Sequence, residues 1–168
     1  VGYAFIYTGY LKHATPQNIV IGGLAGAMPP LLGWSAVTGT IEADAVVLVL
    51  IIFAWTPPHF WALAINRKEE YAKSGIPMLP VTHGERVTKI HILVYTAILV
   101  LISVFPSLIG NSSLFYLAAA VALGAGFLHW SVKLMRRPEP STAMDTFRYS
   151  IVYLALLFIA LVVDHYLF

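Results

Sequence analysis

The chain of 168 residues contains no cysteine, which excludes a disulfide framework and any thiolate metal site. It is also short of charge: 11% of residues are Asp, Glu, Lys or Arg and 59% are apolar. A soluble domain carries about 25% charged and about 45–50% apolar residues, so water is excluded as the main solvent and lipid is expected instead. The start lacks both the charged segment and the small-residue cleavage site of a signal peptide. Its first residue is Val, and a piece of a longer polytopic protein is expected. A net charge of +2 gives no reason to expect nucleic acid as a partner.

What is present is a series of long uncharged tracts. A hydrocarbon core of about 30 Å needs roughly 20 apolar residues in a helix. Ile19–Ile41 and Ala45–Asn66 contain no charged residue, and neither does the double-length tract Ile90–Val132. Pro106 and the run Gly110-Asn111-Ser112-Ser113 divide that tract into two helices. The last tract, Tyr149–Val163, extends through Phe147 and past Asp164. Val1–Leu11 is apolar and ends at Lys12, which reads as a partial span. The expected fold is an all-α polytopic bundle: a partial span at 1–11 and complete spans at about 19–41, 45–65, 90–109, 114–132 and 147–166.

The cations sort completely on this topology. Lys12, Arg67, Lys68, Lys73, Arg86, Lys89, Lys133, Arg136, Arg137 and Arg148, all ten in the chain, fall on one side. The positive-inside rule makes that side cytoplasmic in a bacterium. A wrong span count would scatter them. The segment from Asn66 to Lys89 is then a long cytoplasmic loop holding five of the ten, and function is to be sought there.

Several polar constellations sit near that side. Tyr3, Tyr7 and Tyr10 share a helical face, and Thr8 pairs with Lys12 at i, i+4. They read either as an interfacial aromatic belt with a snorkelling lysine or as an aromatic wall leading to an anion-binding cation. Gly22 and Gly26 form a small-xxx-small step for close helix approach. Two prolyl pairs, Pro29-Pro30 and Pro57-Pro58, are expected to break their helices, because proline removes a backbone donor. Broken helices in a membrane survive where protein or a cavity satisfies the freed carbonyls. His59 follows the second pair, one turn beyond Trp55. It either bonds a freed carbonyl or faces a wet cavity.

In Asn66-Arg67-Lys68-Glu69-Glu70-Tyr71-Ala72-Lys73, a helix continued to Lys73 puts Asn66 and Glu70 on one face. An amide oxygen and a carboxylate so placed are hard ligands for Mg²⁺, and Arg67, Lys68 and Lys73 suit a diphosphate. The same residues also read as an ordinary solvated charge run. His13, His83, His91, His129 and His165 show no metal-ligand spacing.

Several short motifs in fixed order carry a resemblance. They are Tyr7-Thr8 with Leu11-Lys12, Thr15-Pro16-Gln17-Asn18, Ile21-Gly22-Gly23 to Pro29-Pro30 with Gly33-Trp34, the block Trp55 to Trp61, and Tyr71 with Gly75-Ile76-Pro77-Met78-Leu79-Pro80-Val81. Together they resemble the protohaem IX farnesyltransferase (haem O synthase) family of the UbiA superfamily of intramembrane prenyltransferases. The resemblance implies a nine-helix fold around a central cavity, of which residues 1–168 form the C-terminal part of the single domain. It implies two acidic motifs that bind Mg²⁺ and farnesyl diphosphate, the first of them upstream of Val1. Glu70 stands where these enzymes commonly have Asp, and His13 where a second basic residue commonly follows Lys12. By the same resemblance, the implied reaction moves a farnesyl group from farnesyl diphosphate to a vinyl group of haem b. Glu70 and Asn66 are expected at the metal and, with His59, at the reaction centre, while Tyr7, Thr8, Lys12, Trp55, Arg67, Lys68 and Lys73 contact substrate. The bilayer is the expected environment, as a bacterial inner membrane or a mitochondrial inner membrane. Haem A synthase or a terminal oxidase assembly is an expected associate. Two alternatives remain at this point. One is a sister prenyltransferase acting on a quinone precursor or chlorophyll-type acceptor, and the other is a transporter, since interrupted helices also mark substrate paths.

The topology predicts that single cysteines introduced at Lys73 and at Asn111 label from opposite faces of the membrane, Lys73 from the cytoplasm. Labelling of both from one face overturns the span count.

Overall fold

The computed structural model describes residues 17–136 and 139–167. The expected partial span at 1–11, and with it Tyr7, Thr8 and Lys12, lies outside the described residues. All described regular structure is helical: α1 Asn18–Ala27, α2 Pro29–Thr38, α3 Ala43–Asn66, α4 Lys68–Lys73, α5 Leu79–Thr82, α6 Gly84–Leu108, α7 Leu114–Arg136 and α8 Pro140–Leu167. Five segments are long and apolar enough to cross a membrane: Asn18–Thr38, Ala43–Asn66, Gly84–Leu108, Leu114–Arg136 and Ser141–Leu167. Each overlaps one expected span, with polar turns added at the charged ends, and the first stops at Thr38, short of the expected end at Ile41. A helix outside hydrocarbon keeps its backbone bonds, so nothing obliges it to stop where the apolar tract does.

The two prolyl pairs behave differently. Pro29-Pro30 begins α2, where the missing donors belong to the unsatisfied first turn. Met28 between α1 and α2 keeps right-handed helical angles, φ −71° and ψ −25°, so the span is interrupted without turning sharply. Pro57-Pro58 lies inside α3, which runs unbroken for 24 residues. The break expected there does not occur. Packing on several sides holds α3 through the prolines, and the Thr56 hydroxyl donates to the Ile52 carbonyl at 2.8 Å in the same turn.

α3 is the central element. It packs against α6 and α8, α7 packs against the same two helices, and the four close into an antiparallel ring. The ring is filled. Ile51, Leu99, Tyr116, Ala120, Phe127, Tyr153 and Leu157 are fully buried between its helices. Its polar groups bond inside: Tyr116 Oη donates to the Ser103 carbonyl at 2.8 Å, and Ser103 Oγ bonds Tyr153 Oη at 2.7 Å. Thr96 Oγ1 donates to the Ile92 carbonyl at 2.7 Å and so accepts from Ser131 Oγ at 3.1 Å. A second cluster of Trp61, Ala62, Met78, Leu79, Ile92, Leu134 and Ala143 closes the charged end.

Alternation round the ring puts every described cation at one end: Arg67, Lys68, Lys73, Arg86, Lys89, Lys133, Arg136 and Arg148. Glu42, Asp44 and Asp164 lie at the other end. There, Asp44 accepts from the Asn111 amide and Asp164 accepts from the Ser113 backbone N–H at 2.9 Å and from its hydroxyl. Asp164 of α8 thereby satisfies the start of α7.

α1 lies on the outer side of α3 through Ile19, Gly23 and Ala27, which are buried at i, i+4, i+8. The small-residue step is therefore Gly23–Ala27, one position round the helix from the expected Gly22 and Gly26. A Cβ at Gly23 would stand 2.9 Å from Thr56 Cγ2, whereas one at Gly26 would meet nothing within 4 Å. Gly23→Ala is expected to lower stability by about 1–3 kcal/mol, the cost of overpacking. Thr56→Ser removes the obstructing methyl, so the double variant recovers most of the loss. Thermal unfolding in detergent measures both, and strict additivity contradicts the contact.

Candidate functional site

The charged end is built from the last turn of α3 and the segment to the start of α6. α3 ends at Asn66, and Arg67 leaves helical geometry at φ −104° and ψ 26°. The continuous helix expected through Lys73 is thus interrupted, although Tyr71 N–H still reaches the Arg67 carbonyl at 3.2 Å. Asn66 and Glu70 lie on either side of this interruption, and both are exposed on this chain. Glu70 is met by Arg67 Nη1 at 3.9 Å, with 71% and 54% of the respective side chains exposed. Such a pair adds little stability, and both groups are free to reorganise around an incoming anion or cation.

The glycine after α4 explains how the chain turns back. Gly75 has φ 65°, which favours glycine. Ile76 N–H donates to the Tyr71 carbonyl and Gly75 N–H to the Ala72 carbonyl, each at 3.2 Å, which is the Schellman closure. The accompanying contact is also present, since Tyr71 and Ile76 pack on the cluster around Trp61, Met78 and Leu79. Tyr71-Ala72-Lys73-Ser74-Gly75-Ile76-Pro77-Met78-Leu79-Pro80 is therefore a cap sealed to the bundle by its apolar members, with Glu70 and Lys73 left outside.

The cations divide. Lys73 is exposed at the end of α4. Lys68 instead reaches Glu85 in the first turn of α6, at 3.3 Å. Glu85 also holds Lys89, at 3.6 Å.

Trp55 and His59 sit below this cap, against α8. The His59 ring is buried between Trp55, at 4.1 Å between centroids and 20° between planes, and Phe147, at 4.5 Å and 26°. Ser150 Oγ donates to the Phe147 carbonyl at 2.6 Å, so at 2.7 Å it accepts from His59 Nδ1–H. That fixes the tautomer with the lone pair on Nε2. Trp55 Nε1 donates to the Ser150 carbonyl at 2.7 Å. The structure thus gives His59 a hydroxyl partner on another helix, neither the freed carbonyl nor the open cavity wall expected. Phe147 and Ser150 had no sequence signal. Glu85 and Lys89 did have one, the i, i+4 spacing of opposite charges.

The donors suit a hard cation but are few. Asn66 and Glu70 offer an amide oxygen and a carboxylate, which Mg²⁺ accepts together with phosphate oxygens and water. Among the described residues no group of three His, Cys, Asp or Glu gathers around a common point.

The sequence matches the model of the UbiA prenyltransferase family over residues 1–163. The chain belongs to that family. It is 68% identical over 167 residues to protoheme IX farnesyltransferase 1 of Pseudomonas fluorescens (strain Pf0-1), covering 99% of this chain and 56% of the relative. Protoheme IX farnesyltransferase of Stutzerimonas stutzeri (strain A1501) is 66% identical over the same shares. That of Marinobacter nauticus is 64% identical over 100% of this chain and 56% of its own length. The chain therefore spans about half the length of the curated relatives it matches. A solved structure from work on digeranylgeranylglyceryl phosphate synthase in membranes superposes with a TM-score of 0.86 at 18% identity, over 96% of this chain and 57% of that one. The helical UbiA-type fold is shared across that distance in sequence.

Ser150→Ala leaves the buried His59 N–H without its acceptor, and is expected to cost about 1–3 kcal/mol. Unfolding in detergent checks it, and an unchanged midpoint removes the bond from the account.

Proposed function

We propose that the chain is the C-terminal part of a Mg²⁺-dependent enzyme of the inner membrane that transfers the farnesyl group of farnesyl diphosphate to a vinyl group of haem b, giving haem O. The observation that carries the reading is the 64–68% identity, over 99–100% of this chain, to relatives that bear that name. The matched stretch covers the cap between Asn66 and Pro80. The geometry supports it: an exposed carboxylate, an exposed amide and exposed cations stand at the end of an apolar bundle, where an isoprenoid diphosphate has its head in water and its tail in hydrocarbon.

The reaction breaks the allylic C–O bond, and the electron pair leaves on diphosphate. The vinyl group attacks the farnesyl cation, water captures the resulting cation, and one proton is released. Asn66 and Glu70 would hold Mg²⁺, which supplies charge to the departing diphosphate. Arg67 and Lys73, exposed on the same cap, bind and orient the diphosphate oxygens. The Arg67–Glu70 pair opens at little cost when the ligand enters. Trp55 and His59 act from behind, locking α3 to α8 beneath the rim. Lys12, Tyr7 and Thr8 complete the anion and prenyl contacts, and a further acidic motif outside this chain completes the metal site. The surrounding hydrocarbon keeps bulk water from the cation until the carbon–carbon bond has formed.

Glu70→Ala in the full-length enzyme is expected to reduce haem O formation by about a hundredfold or more, the scale for losing a group that stabilises developing charge. Glu70→Asp keeps the carboxylate and retains turnover. Chromatography of products from haem b and farnesyl diphosphate reads both. Wild-type turnover in the Ala variant, with folded protein at normal yield, removes Glu70 from the site.

A further inference from the structure

Lys89 is unusual among the described cations. It lies in the second turn of α6, only 8% of its side chain is exposed, and Glu85 stands 3.6 Å from its Nζ. Thr88 and Ile92 beside it are fully buried. A buried ammonium at the edge of a membrane is costly unless paired. Glu85 is 39% exposed and also bonds Lys68 Nζ at 3.3 Å. Lys68 is the first residue of α4, immediately after the helix interruption at Arg67. One carboxylate therefore joins the anchored lysine of a spanning helix to the first residue of the short helix that carries Glu70.

α4 needs such a tie. It has six residues, none of them buried, and no side chain caps its N-terminus. Its far end is held by the Schellman closure at Gly75 and by Tyr71 and Ile76. Its near end follows a residue with non-helical angles, so α3 and α4 are not one continuous helix and only single backbone bonds on either side of Arg67 set the direction in which α4 leaves α3. A half-exposed ion pair contributes little to global stability. Set across a local hinge, it selects one orientation from several of similar energy.

The geometry points to Glu85 and Lys89 as positioning residues: with Lys68 they form a latch that orients α4, and hence Glu70 and Lys73, toward the diphosphate. This rests on the reading of Glu70 and Lys73 as diphosphate-site residues. It also changes the role of Lys68, which the sequence suggested as a direct substrate contact and which here acts through Glu85.

The test is a double-variant cycle in the full-length enzyme with Lys68→Met, Glu85→Gln and both together. If the pair acts as one latch, each single variant raises the KM for farnesyl diphosphate by about the same factor, several-fold, and leaves the KM for haem b unchanged. The double variant is then no worse than either single one. Glu85→Asp retains the charge and recovers part of the loss. Multiplying effects in the double variant mean that Lys68 touches substrate independently, and overturn the latch. So does a wild-type KM in Glu85→Gln where Glu70→Ala has lost turnover. Hydrogen exchange over residues 68–73 gives a readout that needs no turnover. It is expected to rise several-fold in Glu85→Gln and Lys68→Met, and unchanged exchange overturns the latch whatever the kinetics. Should exchange rise while Glu70→Ala keeps full turnover, the latch exists and the assignment of Glu70 is what has failed.

Discussion

In hydrocarbon a polar group that loses its partner finds no water to replace it, and the backbone and most buried side chains of this bundle answer to that constraint, the Trp61 indole N–H being an exception. Among the described residues the backbone answers it by being helical in all five candidate spans. The side chains answer it pairwise across helices: Tyr116 and Tyr153 converge on Ser103, Thr96 meets Ser131, and Trp55 and His59 share Ser150. These contacts set register. A helix slid by one residue would rotate its hydroxyl by about 100° round the axis and strand the partner. Apolar packing tolerates such a slip better, because lipid tails and leucine side chains are equivalent surroundings.

The same contacts place the proposed site. The ring of α3, α6, α7 and α8 is filled by Tyr116, Phe127, Tyr153 and their neighbours, so a reaction chamber does not lie within it. α3 packs on the ring with one side and on α1 with the other, bringing Gly23 against Thr56. It is the most deeply buried of the described spans, and Asn66 is its last residue. Precision needed at the rim is thus passed along the element with the least freedom to move, through two prolines that other packing has overridden.

Much of this was legible in the residues. Lipid as solvent, the five spans and the gathering of cations at one end all follow from hydropathy and charge, because these depend on single residues and their neighbours in sequence. The failures share a different cause. Pro57-Pro58 predicts a break, but α3 stays helical, since a local cost of a few kcal/mol is outweighed when several helices pack on the same turn. The buried step at Gly23 and Ala27, beside the expected Gly22 and Gly26, depends on which way α1 is rotated, and spacing alone permits either. For His59 both readings assumed a local partner or a cavity. The actual partner, Ser150, is 91 positions away. Glu85 and Lys89 were visible as an i, i+4 pair, but that Lys68 joins them depends on the turn at Gly75.

On the proposed function, the cap joins two requirements that a single straight helix would set against each other. A group that grips a charged head must be wet and mobile enough to admit it, yet must return to one position to act. The chain separates these by residue. Met78 and Leu79, buried in the bundle end, and Tyr71 and Ile76, partly buried against them, hold the cap's position, while Arg67, Glu70 and Lys73 keep their side chains exposed. The helix interruption at Arg67 is what permits the separation: had α3 run on to Lys73, its last two turns would project from the bundle with neither Tyr71 nor Ile76 able to fold back onto Trp61. Bending there lets six residues lie across the rim, at the cost of an undetermined angle. A carboxylate shared between two lysines is a sufficient remedy, because it has only to choose among orientations that already differ little in energy.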